Sequence, residues 1–318
     1  MPASPASLFA LIEGVGSGIP ATGIRPHVRR RTTPKILRRT CFFLTLLLLP
    51  LYFRKLLSMQ SFQSAISLYW SQHPEYAAEA RACGFNPDSG RLPVRGIMFD
   101  MDGVLFDSMP YHAKAWSSAA HAYGLRMTEE EVYMNEGRTG HSTINWLTRR
   151  QWDRDTTPEE VEHLYSLKSQ AFNAFPEAPK MPGAEALLQQ VKASGRMVCV
   201  VTGSGQASLL GRLSGNFPGI FQEDRIVSSR DVEHGKPHPE PYLKGLGKMR
   251  LRPWEAIVVE NAPLGVRAGV AAGVFTIAAN TGPLADDVLA DEGAAMVMPS
   301  MTALSEAWSR WEPLLQWD

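Results

Sequence analysis

The stretch Val94-Arg-Gly-Ile-Met-Phe-Asp-Met-Asp-Gly-Val-Leu-Phe-Asp-Ser108 decides the fold. Its first part, Val94–Met101, is a short apolar run rich in strand formers that ends in acids and Gly103. In an extended segment residues two apart face the same side, so Asp100 and Asp102 can point into one site. Two adjacent carboxylates suit a hard, oxygen-seeking cation such as magnesium. They also allow one to attack a phosphoryl group while the other manages a proton. An acidic pair alone is a weak signal, because such pairs are common at solvated turns. Embedded in a strand that runs into Asp-x-Asp-Gly-Val it is a strong one.

Outward from this stretch, similar runs recur at Met197–Val201, Arg225–Val227, Ala256–Val259, Val274–Ala278 and Ala295–Val297. Continuous apolar strands separated by helical stretches imply an α/β fold, a Rossmann-like parallel sheet with helices on both faces. Between the first two runs lies a long insertion, residues 111–182, with a helical pattern and no strand-like run. Thr128-Glu-Glu-Glu131 and Thr157-Pro-Glu-Glu160 read as capping signals at helix starts. The expected organisation is a core of residues 94–110 and 183–318, an inserted helical cap at 111–182, and a weakly helical lead-in at 59–93.

The chain has 318 residues, and its 32 basic and 32 acidic side chains give a formal net charge of zero. That balance conceals a split. Residues 1–58 carry nine basic side chains and one acid, Glu13, leaving 23 basic and 31 acidic residues for the rest. An acidic body makes nucleic acid an unexpected partner, because phosphate backbones need a basic face. Cys41, Cys83 and Cys199 show no metal-knuckle spacing, which suits a reducing compartment, and the body is expected to be cytoplasmic. The run Cys41–Phe53 is apolar but interrupted by Pro50, and it falls short of the roughly 20 residues a membrane-spanning helix needs. The expected reading is that Met59 is the true start, with a weak anchor or an atypical targeting peptide as the alternatives. Membrane attachment could come only through residues 41–53.

The order of motifs resembles that of the haloacid-dehalogenase-like (HAD) superfamily, with Phe99-Asp-Met-Asp-Gly-Val-Leu-Phe-Asp-Ser108 as its first motif. The second motif is matched by Val200-Val-Thr-Gly-Ser-Gly205, the third by Gly235-Lys-Pro-His-Pro-Glu-Pro241 and the fourth by Ile257-Val-Val-Glu-Asn-Ala-Pro-Leu-Gly265. The resemblance covers residues 94–312 and implies phosphoryl transfer through an aspartyl-phosphate, with Asp100 as nucleophile and Asp102 as acid and base. It implies that Thr202 and Lys236 neutralise phosphoryl charge and that Gly103, Gly203 and Ser204 help to hold the phosphate. It implies a magnesium ion on Asp100, Asp102, Glu260 and Asn261. Asn261 is a departure, because close relatives carry an acid there. Asn keeps an oxygen but loses the charge, so metal affinity should fall; the bland alternative is that Asn261 caps the following helix.

Within the superfamily the chain is most similar to β-phosphoglucomutase and the sugar-phosphate phosphatases. His112, twelve residues after Asp100, matches a hinge histidine that assists the acid/base Asp. Arg138, between two glycines in the loop Glu136-Gly-Arg-Thr-Gly140, matches a phosphate-binding cap residue, and Lys168 a substrate-contacting cap lysine. A solvated helix face is the competing reading for Lys168. His238 and the remaining histidines read as structural, and Trp116, Trp146 and Trp254 as packing residues. The expected protein is a monomeric, magnesium-dependent phosphatase of a small phosphorylated metabolite, with β-phosphoglucomutase activity as the alternative. A sugar-phosphate-binding protein without turnover is the reading from another class.

Overall fold

The computed structural model describes residues 59–204 and 209–316, so every expectation about residues 1–58 lies outside the described residues. Six short strands, β1 (Gly96–Phe99), β2 (Met197–Val201), β3 (Ile226–Val227), β4 (Ala256–Glu260), β5 (Phe275–Ala279) and β6 (Met296–Met298), form one sheet. Their order is β3-β2-β1-β4-β5-β6, and every pairing is parallel. The first motif therefore leaves the middle of the sheet, flanked by the strands that carry the second and fourth.

Alternation within the strands explains the two covered faces. Ile97, Phe99, Val200, Ile257, Val259 and Phe275 bury against one layer of helices. That layer is a helix over residues 59–72 (α1), α7 (Ala184–Ala193) and α12 (Met301–Trp311). Met98, Cys199, Val201 and Val258 bury on the opposite face, against α9 (Glu240–Met249) and α10 (Pro263–Ala271). The lead-in is thus part of the core packing. Phe62 of α1 stacks on Trp311 at 4.2 Å, and Tyr69 Oη donates to the Gly273 carbonyl at 2.8 Å. Such a stack contributes about 0.5–1.5 kcal/mol beyond its buried area. A second lead-in helix, α2 (Pro74–Ala82), follows, and α8 (Leu209–Asn216) and α11 (Asp286–Ala290) lie between later strands.

Four helices leave the first motif and pack on one another: α3 (Met109–Ala122), α4 (Glu129–Met134), α5 (Gly140–Trp152) and α6 (Pro158–Asn173). They enclose an apolar cluster of their own, with Trp116, Ile144, Leu147 and Leu164 buried in it. Thr128 and Thr157 each form a complete capping box with the glutamate three residues on. Those reciprocal bonds satisfy N–H groups that a helix start otherwise leaves unpaired. The predicted strand at Val94–Met101 is longer than the observed one because the ladder ends near Asp100, whose N–H donates to the Val259 carbonyl at 3.0 Å. Beyond it Met101 turns inward and is buried.

Candidate active site

At the end of β1 the chain reverses. Gly103 has φ +86, and a Cβ there would stand 2.0 Å from Asn261 Nδ2. Only glycine combines that backbone angle with that close approach. The turn brings Asp100 and Asp102, both buried, to the carboxyl edge of the sheet, the edge where open α/β sheets bind ligands.

Lys236, at the loop before α9, is buried and reaches back to this edge. Its ammonium donates to Asp100 Oδ1, to Glu260 Oε1 at 2.6 Å and to the Val201 carbonyl at 3.1 Å. All three of its protons are thereby used. Burial works against that charge, but Asp100 and Glu260 outweigh it and keep the lysine protonated. Burial pushes the Asp100 carboxyl up to about 8 against the pull of Lys236, with Glu260 and Asp102 adding to the rise.

Asp102 has different surroundings. Its Oδ1 accepts from Ser108 Oγ at 2.5 Å and lies 3.4 Å from His112 Nε2. Ser108 is the N-cap of α3 yet makes no side-chain cap bond, because its hydroxyl is turned to Asp102. Burial alone would raise this carboxyl, but His112 and Ser108 prevail and hold it well below the usual range. Two carboxylates two residues apart are thus driven in opposite directions, the pattern expected of groups with separate roles.

His112 Nδ1 lies 3.0 Å from Lys168 Nζ. Lys168 is 6% exposed, which overturns its reading as a solvated-face residue. Its ammonium sits 4.8 Å from the Phe172 ring centre and 5.6 Å from that of Trp116. The apolar lining of the helical layer holds it there. Burial, and then the charge of Lys168, push the His112 pKa down.

Glu260 ends β4 with all four acceptor positions engaged. Lys236 and Tyr242 Oη (2.8 Å) bond Oε1, and the N–H groups of Asn261 (2.9 Å) and Ala262 (3.2 Å) bond Oε2. Gly265 permits this, since a Cβ there would meet the carboxylate at 1.9 Å. In this arrangement Glu260 anchors Lys236 with both oxygens fully engaged. The N-cap of α10 is Ala262, and no side chain caps it, so Asn261 is not a helix cap. Its Oδ1 is instead buried without a hydrogen-bond partner, as is Asp100 Oδ2.

Thr202, buried at the end of β2, accepts from the Ser204 N–H at 3.0 Å, a local bond that shapes the turn through Gly203. Gly203 and Ser204 share the lining of a small cavity of about 50 Å³ with Asp102, His112, Arg138 and Lys168. Arg138 Nε donates to Asn135 Oδ1 at 3.0 Å and Nη1 to Ser142 Oγ at 3.2 Å. No carboxylate pairs with Arg138 among the described residues.

Sequence reasoning missed Glu136, which also lines this cavity. Burial, with Asp102 and Asp100 nearby, raises its carboxyl well above the usual range. It missed Tyr242 and Ser108 as well, and Arg212, whose charge contributes to holding Asp102 down. Only the position of Glu136 beside Arg138 offered a signal in the sequence. The partners of the others depend on how distant segments meet.

Comparison with known proteins places these features among relatives. The family description "Haloacid dehalogenase-like hydrolase" matches residues 97–279. Hexitol phosphatase A of Escherichia coli (strain K12) is 32% identical over 191 residues, 59% of this chain and 84% of that protein. Fructose-1-phosphate phosphatase of the same organism is 26% identical over 184 residues, 57% of this chain and 94% of that protein. Among solved structures, a protein from Bacteroides vulgatus provisionally named a beta-phosphoglucomutase superposes with a TM-score of 0.74 at 46% identity. It covers 81% of this chain and 99% of its own.

Proposed function

The chain belongs to the haloacid dehalogenase-like hydrolase family, and from that membership we propose that it is a phosphatase of small sugar or polyol phosphates. The reading rests on one observation, the pair of buried carboxylates with opposite surroundings. Asp100 is held by a lysine whose own position is fixed by Glu260, and Asp102 is held ionised by His112 and Ser108.

Asp100 attacks the phosphorus, so a bond from its carboxylate oxygen forms as the bond to the leaving oxygen breaks. Lys236, through its charge, and the Thr202 turn would offset charge on the equatorial oxygens. An arriving phosphate is a like charge beside Asp102 and raises its pKa, so that Asp102 takes up a proton from solvent and passes it to the leaving oxygen. Once the alcohol has left, Asp102 is again ionised and takes a proton from the water that hydrolyses the aspartyl-phosphate. His112 faces Asp102 and orients that carboxylate throughout.

Asp100 Oδ2 and Asn261 Oδ1 are the two buried oxygens of this site without a hydrogen-bond partner, and they end neighbouring strands. Hard oxygens so placed fit a magnesium ion, with Asp102 completing the protein ligands. Bound there, magnesium supplies positive charge that favours the ionised form of Asp100 and offsets phosphoryl charge.

The small cavity has room for only a few water molecules, so movement of α3–α6 away from the sheet edge would admit a sugar phosphate. Glu136 brings a carboxyl that makes no hydrogen bond among the described residues and can meet substrate hydroxyls. It brings no positive charge for a second phosphate, which favours hydrolysis of a monophosphate. One observation favours phosphosugar mutase activity as the second reading: Arg138 keeps a guanidinium without a carboxylate partner beside the same cavity. Incubation with β-glucose 1-phosphate and a trace of the 1,6-bisphosphate separates the two. Free phosphate as the main product supports the phosphatase; glucose 6-phosphate overturns it in favour of the mutase. The same reading puts the protein in the cytoplasm as a monomer. No helix among the described residues is long and apolar enough to cross a membrane.

A further inference from the structure

The loop that carries Lys236 holds a second group of ligating side chains on its outer side. In Glu233-His-Gly-Lys-Pro-His-Pro-Glu240, the rings of His234 and His238 are exposed and face one another, with centres 4.8 Å apart and planes 35° apart. Glu240, the first residue of α9, stands beside this pair. Its Oε1 accepts from the Glu233 N–H at 3.0 Å and its Oε2 from the His234 N–H at 2.9 Å. Oε2 also lies 3.4 Å from His234 Nδ1. One ligand atom from each of the three residues falls within 4.8 Å of the other two. We propose that His234, His238 and Glu240 form a binding site for a borderline divalent cation of the zinc class, separate from the catalytic carboxylates.

The chemistry of the donors sets that class. Imidazole nitrogen selects zinc, copper or nickel over magnesium, and one carboxylate with two imidazoles is a known zinc donor set. The carboxylate is ionised over the whole neutral range, because the two backbone N–H groups hold its pKa to about 2. Zinc–nitrogen bonds of about 2.0–2.1 Å place tetrahedral ligands roughly 3.3 Å apart, so the group must contract. The contraction falls on two exposed rings that turn about their own side-chain bonds. His238 Nδ1 accepts from the Glu240 N–H at 3.2 Å, a long bond that a cation can replace. Lys244 Nζ lies 3.5 Å from Oε1, leaving Oε2 as the ligand.

The remaining coordination positions open onto a groove between this loop and α5, lined on its far side by His141 and Ser142. Lys236 lies in sequence between the two histidines, so a cation joining them closes the loop around the catalytic lysine. The site is independent of the phosphatase reading and is tested by binding.

The experiment is isothermal titration of the untagged, full-length protein with zinc chloride in a large excess of magnesium, which occupies the catalytic oxygens. One zinc ion per chain is expected. The double variant His234→Ala/His238→Ala should bind at least about tenfold more weakly. It should keep its circular dichroism and its phosphate release, since neither ring touches the catalytic groups. Cobalt in place of zinc should give a visible absorption band with nitrogen-ligand character that the double variant lacks. No zinc heat up to millimolar concentration, or equal affinity in the double variant, overturns the proposal.

Discussion

Replacing Glu260 by Gln separates an anchoring role from a metal-binding one. The carboxylate accepts four bonds, two on each oxygen, from Lys236, Tyr242 and two backbone N–H groups, and it is 1% exposed. An amide has one oxygen. Whichever way it is turned, its NH₂ faces two donors, so one pair of bonds is lost and two buried donors go unsatisfied. Each such group costs about 1–3 kcal/mol. The substitution also leaves Lys236 with Asp100 as its only buried counter-charge, and breaking a buried ion pair costs about 3–5 kcal/mol. These losses overlap, because Lys236 is counted in both, so a total of about 3–5 kcal/mol is the expected effect. With a urea slope of about 2 kcal/mol per molar, the unfolding midpoint should fall by roughly 2 M. The assay is urea unfolding in EDTA, which removes any metal contribution from both proteins. If the midpoint stays put while only the magnesium needed for activity rises, Glu260 is a cation ligand and the anchoring argument fails.

The other predictions are more compact. Asp100→Asn should abolish phosphate release, and surviving turnover would show that the nucleophile lies elsewhere. Asn261→Asp adds a negative charge beside an unpaired Asp100 oxygen and should tighten magnesium binding about tenfold or more, read by calorimetry on the phosphate-free protein; unchanged affinity would remove Asn261 from the ligand set. Glu136→Lys should lower KM for sugar bisphosphates relative to monophosphates, measured by phosphate release on matched substrates, whereas an unchanged ratio would leave Glu136 without a part in selection. His112 has a folded pKa below its ordinary 6.5. As pH falls through that value, the unfolded chain takes up the proton first and stability declines. His112→Gln should therefore lose less stability than the parent between neutral pH and about pH 5 in parallel urea titrations; equal slopes would refute the linkage.

Much of this site was legible because its signals are local. The Asp100 and Asp102 pair follows from a strand period of two, and the capping boxes at Thr128 and Thr157 depend on residues three apart. The strand runs predicted at Met197–Val201 and Ala256–Val259 match β2 and β4 to within a residue, since buried parallel strands are apolar throughout. Lys168 was harder, because a lysine among polar helix neighbours looks the same whether water or an aromatic pocket receives it. Glu260 and Asn261 were both expected on the cation, and their different surroundings were hidden for a related reason. Whether an oxygen is free to bind a cation depends on donors that arrive from elsewhere, here Tyr242 and Lys236.

The sequence by itself determined the fold class, the order of the strands' motifs and the pairing of two carboxylates at the end of the first strand, because these rest on periodicity and on residues adjacent in the chain. Tertiary structure alone decided which carboxylate is driven towards its neutral form and which is kept ionised. It also decided that Glu260 holds the lysine and that two histidines read as structural stand together in solvent. The physical reason is common to all of these. Burial and charge act through space over a few ångströms, and the groups that exert them here, such as Lys168 on His112 and Lys236 on Asp100, lie 56 and 136 residues away along the chain.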